Sequence, residues 1–397
     1  MFIGQSLANL RIMNDLSRSQ LAEKIGVTEQ AVWQYENGYM SPKLEIVNRL
    51  KSLFNVKSLY FYRPDLLDED NCKNIEVQNI AYRSETINSL TKTQSELMHM
   101  RFLDAFMKRI ESKINYPDNL LLQLRTETIH YLQQNEDLDR ESQIKYIANL
   151  ARKNIGLPDN SNQNLLFLLE KAGAFIFEKE IGDTIDAYSL WTVDDRPYII
   201  LGTIKKSAAR RNVDLAHELG HLLLHYKIEF TMQDKKSYRA LEDEAYLFAA
   251  EFLLPDEAFI EDCRHIIKIS NPDAYIELKQ KWQVSLQAMA MRARGLEIMS
   301  YQQQRYFFMS INKKGYKTIE PLDQELPIGR PMKVKSILQL LFEKGIHSVS
   351  ELLDELKVDQ QFLTVLTGIE KEFFDRYVQK EKRFFSVNDL SVTSPLK

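Results

Sequence analysis

The spacing of apolar positions changes along the chain, and the changes mark its segments. Ile3, Leu7, Leu10 and Ile12 form one helical stripe, and Leu21, Ala22 and Ile25 form a second that Gly26 closes. Thr28 offers a cap for a third helix running to about Glu36, and Gly38 stops it. Leu44 to Phe54 predicts a fourth helix, with Pro42 near its start. These short helices predict a small helical domain over 1–64. Pro64 and the acidic stretch from Asp65 predict a linker over 65–92.

Beyond the linker the periodicity lengthens. Leu97, Met100, Leu103, Phe106, Ile110 and Ile114 lie on one side of a helix over 93–115. Ile144, Ile147, Ala148, Ala151 and Ile155 give the stripe of another over 139–155, ended by Gly156 and Pro158. Ser161 offers a cap for a third that carries Leu165 to Leu169. The period then shortens. Ala174–Glu178, Ala187–Thr192 and Pro197–Gly202 are β-rich runs between polar turns, and they predict a three-stranded antiparallel sheet. Helix returns at Ser207 and continues to Phe259. Further helical patterns follow near 274–294 and over 335–380. The expected fold class is therefore α+β and mostly α. A domain over 93–265 would comprise a helical lead-in (93–172), the sheet (174–202) and helices (207–259). A helical C-terminal region would fill 266–397.

Composition narrows this picture only slightly. The net charge of −4 over 397 residues points to no class of partner. Residues 1–60 are mildly basic, with seven Lys/Arg against five Asp/Glu, so a local DNA-facing surface is compatible with the acidic average. The two cysteines, Cys72 and Cys263, make neither a disulfide framework nor a CxxC pair. The start lacks the basic-then-apolar pattern of a secretory signal, and no apolar run approaches a membrane span, so a soluble cytoplasmic protein without membrane contact is expected.

The candidate chemistry lies in His217-Glu218-Leu219-Gly220-His221, an HExxH run with apolar flanks. On a helix, residues four apart share a face, so His217 and His221 can direct both imidazoles at one zinc ion. Glu218 is beside the metal but out of line with the ligands, where it can take a proton from water. HExxH also arises by chance, so the run alone carries little weight. A catalytic zinc needs a third protein ligand. Glu242, on the acidic helical stretch that follows, is the first candidate, and Glu244 is the rival. Ala245 and Ala249 would let the two helices approach closely. His225, one turn past His221, reads as a structural or supporting histidine. A His₂Glu set accepts Mn²⁺ as well as Zn²⁺. The sheet ahead of the site offers an edge for an extended substrate strand.

Together these runs resemble the ImmA/IrrE family of metallopeptidases. The resemblance is carried by the run from Arg211 through His225 and by Glu242 to Pro255. Ala81–Ser84 and the strand Asp186–Ser189 also resemble that family's larger members. The resemblance implies a zincin-like peptidase domain, with zinc on His217, His221 and Glu242 and with Glu218 as general base and acid. Tyr246 stands where the family usually has Asn.

The run Ser17–Gly38 resembles an XRE/Cro-type helix-turn-helix of the five-helix type. Ala22 allows close helix packing, Gly26 makes the turn, and Ile25, Val27, Ala31 and Val32 fall at core spacing. Thr28, Glu29, Gln30, Trp33 and Gln34 are left facing outward. Glutamine can pair with adenine in the major groove, while Gln20 and Lys43 are placed for phosphates. Trp33 either reads a thymine methyl or packs. Such modules bind as dimers on two-fold sites, which makes a homodimer on double-stranded DNA the expectation. Residues 274–294, with Trp282, Arg292 and Arg294, are either a second, degenerate helix-turn-helix or a core helix. The two halves imply a DNA-binding regulator with a zinc endopeptidase that cleaves a repressor or antitoxin. The alternative is a non-catalytic regulator whose peptidase-like domain serves as a sensor or scaffold.

Overall fold

The computed structural model describes residues 1–63, 75, 90–115, 119–180, 186–203, 207–226 and 235–383. The stretch Ala81–Ser84 and most of the expected linker lie outside them. Among the described residues the chain is mostly helical with one small sheet, as its periodicity predicts, and no helix is long and apolar enough to cross a membrane. The chain divides into two compact units. One gathers residues 1–63, 75, 90–115 and 334–383, and the other holds 119–333.

In the first unit, α1 (Gly4–Met13), α2 (Arg18–Ile25), α3 (Glu29–Glu36) and α4 (Leu44–Phe54) are followed by a 3₁₀ turn at Ser58–Tyr62. Local chemistry sets their ends. Ser17 and Gln20 form a reciprocal capping box at the start of α2, and Thr28 accepts from the Ala31 N–H at the start of α3. Gly26 ends α2 at φ 70°, a conformation that disfavours any residue with a Cβ. Leu7, Leu10, Leu21, Ile25, Val32 and Leu50 are buried in the module's core. Beside them the Glu36 carboxylate is buried and takes Arg11 at 2.5 Å and Arg18 at 2.6 Å.

The long helix α5 (Leu90–Glu111) also belongs to this unit. So does the chain beyond residue 333, which the sequence assigned to one C-terminal region over 266–397. The reason is a set of long-range contacts. Val56 and Val358 form an antiparallel bridge, with Lys57 N donating to Lys357 O at 2.7 Å and Asp359 N to Asn55 O at 2.9 Å. Arg109 reaches Glu355 at 2.6 Å, and the rings of Phe102 and Phe362 meet edge-on at 6.0 Å.

The second unit opens with α6 (Leu120–Gln134), α7 (Arg140–Asn154) and α8 (Leu165–Ala172). Helix α6 escapes a search for apolar stripes because its fully buried positions are only Leu121, Leu124 and Thr128. The cap of α8 is also not the expected one. Asn164, at φ 62°, precedes the helix, and the Ser161 hydroxyl accepts from Gln163 N instead. Strands β1 (Phe175–Lys179), β2 (Ala187–Trp191) and β3 (Pro197–Gly202) then form a sheet in the order β1-β3-β2. The sheet is mixed, not antiparallel throughout. β2 and β3 form a hairpin, pairing Ser189 with Ile199, but β3 inserts beside β1 and runs parallel to it, pairing Ile176 with Ile199. Three short β-rich runs of nearly continuous burial carry no sign of strand direction, so the parallel pair is not legible in the sequence.

Helices α9 (Ala208–Leu224), α10 (Lys235–Leu253) and α11 (Asp256–Arg264) follow the sheet. The stretch near 274–294 forms α12 (Ile276–Trp282) and α13 (Leu286–Gly295). Trp282, Leu286, Met289, Ala290 and Ala293 are fully buried in the core shared with α9 and α10, so this pair is a core element. Arg292 is equally committed, held against Glu251 and Asp256.

Candidate functional site

Helix α9 starts where the Ser207 hydroxyl accepts from Arg210 N, and it lies between the sheet and α10. Trp191 of β2 donates its indole N–H to Leu222 O at 2.8 Å, which ties the strand to the helix. On the other side α9 crosses α10 at Gly220, where an added Cβ would stand 3.1 Å from a Phe248 ring carbon. The glycine within HELGH therefore permits the close approach that Ala245 and Ala249, both buried, extend from α10.

This approach brings three ligand atoms together. His217 Nε2 and His221 Nε2 are 3.0 Å apart, and the Glu242 carboxylate lies 3.3 Å from each. A tetrahedral ion with ligands at about 2.0–2.1 Å has ligand atoms spaced by roughly 3.3 Å. The donor set and its spacing thus suit zinc, and His217, His221 and Glu242 form a metal-capable cluster among the described residues. Burial pushes the Glu242 carboxyl up, but the two imidazoles outweigh it and hold the group well below the usual carboxylate range.

Glu244, the rival ligand, faces another way. It accepts from Arg140 of α7 at 2.7 and 3.0 Å, and its other partner is His225 Nε2 at 3.0 Å. His225 Nδ1 in turn lies 3.0 Å from His221 Nδ1. A line of contacts therefore runs from Arg140 through Glu244 and His225 to the far side of the His221 ring. Burial lowers His225 despite the Glu244 carboxylate, which favours the neutral ring. Glu244 itself is held at about 2, because His225 and Arg140 outweigh its burial. Sequence spacing alone does not find Arg140, because it lies 104 residues from Glu244.

Glu218 is buried on α9, and Ser189 of β2 donates to its carboxylate at 2.7 Å. Ser189 was singled out only as part of a strand, not as a site residue. Tyr246 is half exposed, and its ring centroid is 4.5 Å from that of His217. Tyr238, one turn before Glu242, was also missed; burial and the Glu242 charge push its phenol up. β2 is indeed a sheet edge, but each of its residues is buried, so the expected docking edge is not open.

At the helix-turn-helix, Gln20, Thr28, Glu29, Gln30, Trp33 and Lys43 are exposed, and Gln34 is half-buried. Gln20 Oε1 is engaged by Ser17 N, which leaves its amide N–H groups for a partner. Thr28 caps α3 and Lys43 stands at the start of α4. Trp33 stacks on Tyr39 and stays exposed.

Two family profiles match parts of this chain. Residues 169–294, from α8 through most of α13, match the peptidase family profile described as IrrE N-terminal-like domain. Residues 7–61 match the helix-turn-helix profile. The chain thus joins an XRE-type helix-turn-helix, a DNA-binding module, to an IrrE/ImmA-like peptidase domain. It is also similar to the "Cryptic phage CTXphi transcriptional repressor RstR" of Vibrio cholerae, at 28% identity over 107 residues, covering 27% of this chain and 89% of that protein.

Proposed function

We propose that this chain is a DNA-binding transcriptional regulator with a zinc-dependent endopeptidase in its second unit. The observation that carries the reading is the convergence of His217, His221 and Glu242 beside the buried Glu218. His217, His221 and Glu242 would hold the ion. When bound, zinc supplies a Lewis acid that polarises a peptide carbonyl, and Mn²⁺ suits the same donors. Glu218 acts as general base toward water and returns the proton to the departing amine. Ser189 fixes the Glu218 carboxylate for this exchange. His225, Glu244 and Arg140 hold the His221 ring in orientation. The substrate is a repressor or antitoxin protein, in keeping with a DNA-reading module in the same chain and a relative named as a phage transcriptional repressor. A homodimer on a two-fold duplex site fits the helix-turn-helix.

The test is metal content with proteolysis of a repressor or antitoxin encoded beside this chain. The wild type takes up zinc and cleaves it, while Glu218→Gln keeps zinc and does not cleave. Failure of the wild type to take up supplied zinc overturns the peptidase reading. For DNA, Gln30→Ala with Gln34→Ala abolishes sequence-specific binding, and persistence of binding would move the reading face elsewhere. One observation favours the non-catalytic alternative, a sensor or scaffold: β2 beside Glu218 is buried along its length, so a substrate strand finds no open edge there. Wild-type protein that binds zinc and the partner but leaves it intact would establish that alternative.

A further inference from the structure

The helix-turn-helix carries an aromatic feature that its fold does not use. Trp33 and Tyr39 stack with ring centroids 5.1 Å apart and planes within 19°, yet they remain 42% and 73% exposed. The fold returns Tyr39 to this position through backbone contacts. Gly38 turns the chain at φ 74°, and the Tyr39 and Met40 N–H groups both donate to Gln34 O at 2.9 and 3.3 Å. The Asn37 side chain donates to Trp33 O at 2.8 Å, which closes the same turn. The stack thus sets the Trp33 ring beside Tyr39 at the surface of the module.

Helical spacing puts this pair on the reading face. Glu29 and Trp33 are four apart, and so are Gln30 and Gln34, so two adjacent stripes run along α3. Uncharged glutamines beside an indole suit a surface that mixes hydrogen-bonding edges with an apolar group. The major groove offers that combination: donors and acceptors on every base pair, and an apolar methyl on thymine alone. Met40 and Leu44 are exposed as well, so a protein docking on this apolar group is the competing outcome, and it predicts no dependence on a thymine methyl.

We infer that the Trp33 indole, braced by Tyr39, contacts a thymine 5-methyl group beside the bases read by Gln30 and Gln34, and so sets sequence preference at that position. The inference rests on the DNA-binding reading of the module. A methyl removed from such a contact weakens binding about fourfold.

The experiment uses the full chain and duplexes enriched from a random pool. In an enriched duplex each thymine is replaced in turn by uracil, which removes only the methyl group, and affinity is read by fluorescence anisotropy. The wild type loses about fourfold at one thymine position in each half-site. Trp33→Ala loses that sensitivity and keeps the response to every other substitution, while Trp33→Phe retains part of it. Tyr39→Ala leaves Trp33 in place and reduces the sensitivity by releasing the brace. Circular dichroism shows whether each variant is folded; should Trp33→Ala unfold, Tyr39→Ala and Trp33→Phe carry the same comparison. A wild type indifferent to uracil at every position overturns the inference, as does a Trp33→Ala that keeps the full uracil penalty. A pool that yields no enriched duplex overturns the DNA-binding reading itself, a result separate from enrichment without methyl dependence.

Discussion

The helix-turn-helix face and the metal cluster are built on opposite plans. Around α2 and α3 the capping contacts are local: Ser17 with Gln20, Thr28 with Ala31, Asn37 with Trp33. Gln20, Thr28, Glu29, Gln30, Trp33 and Lys43 stay exposed, and Gln34 is half-buried. At the metal cluster His217, His221 and Glu218 are buried and Glu242 is half-buried, and the supporting partners come from afar. Ser189 is 29 residues from Glu218, and Arg140 is 104 from Glu244. The difference suits the partner that each surface is proposed to take. A duplex is large and rigid, so a preset helix with free side chains suffices. An ion needs converging donors, and buried donors must each be oriented by further groups.

The plan is broken at Glu36, and the largest effect is expected there. Glu36 lies 25 residues from Arg11 and 18 from Arg18, and its burial makes this a long-range lock inside the locally built module. Glu36→Ala, which leaves both guanidinium groups without that partner, is expected to cost about 3 kcal/mol in denaturant unfolding. A cost below about 1 kcal/mol would mean that the local caps hold the module by themselves. In the metal cluster, Glu244→Gln weakens the hold on His225 without touching a ligand. Zinc affinity should fall about 10- to 100-fold in competition with a chelator, and unchanged affinity would show that long-range support does not set the site. Ser17→Ala removes one half of a local box and should cost about 1 kcal/mol, with zinc affinity unchanged.

The smallest effect concerns Cys263, buried on α11 of the second unit. Burial, helped by the Asp262 charge, pushes its thiol up to about 12. The unfolded thiol titrates near 9.0, so between those values the folded state keeps a proton that the unfolded state loses. Stability contributed by this group is present below pH ~9 and declines as pH rises toward 12. In a Cys72→Ser background, iodoacetamide should leave the folded protein unlabelled at pH 8. Rapid labelling would show that the second unit's core opens readily.

These contrasts also explain what the sequence made legible. The helix-turn-helix could be read nearly in full, because Gly26, Ser17 and Thr28 act on neighbours one turn away. The two histidines and Glu218 were legible because HExxH is itself a helical spacing. The sequence ranks Glu242 ahead of Glu244 without excluding the rival, because the choice depends on which side of α10 meets α9 and which meets Arg140. The mixed sheet was out of reach for the same reason: β3 slots between β1 and β2, an arrangement that no local pattern records. Ser189 and Arg140 appear ordinary until the fold sets them beside Glu218 and Glu244.

The order in which the two units use the chain has a consequence for turnover. Residues 119–333 are threaded between two parts of the first unit, one before residue 116 and one after 333. A single nick on either side of that insert would not detach the first unit intact. It would divide that body between two polypeptides, with Val56 on one and Val358 on the other, joined only by packing and a few hydrogen bonds. Freeing the whole first unit from the peptidase-like unit takes two cuts. Against proteolysis, the linkage behaves as a closed clasp and not as a tether.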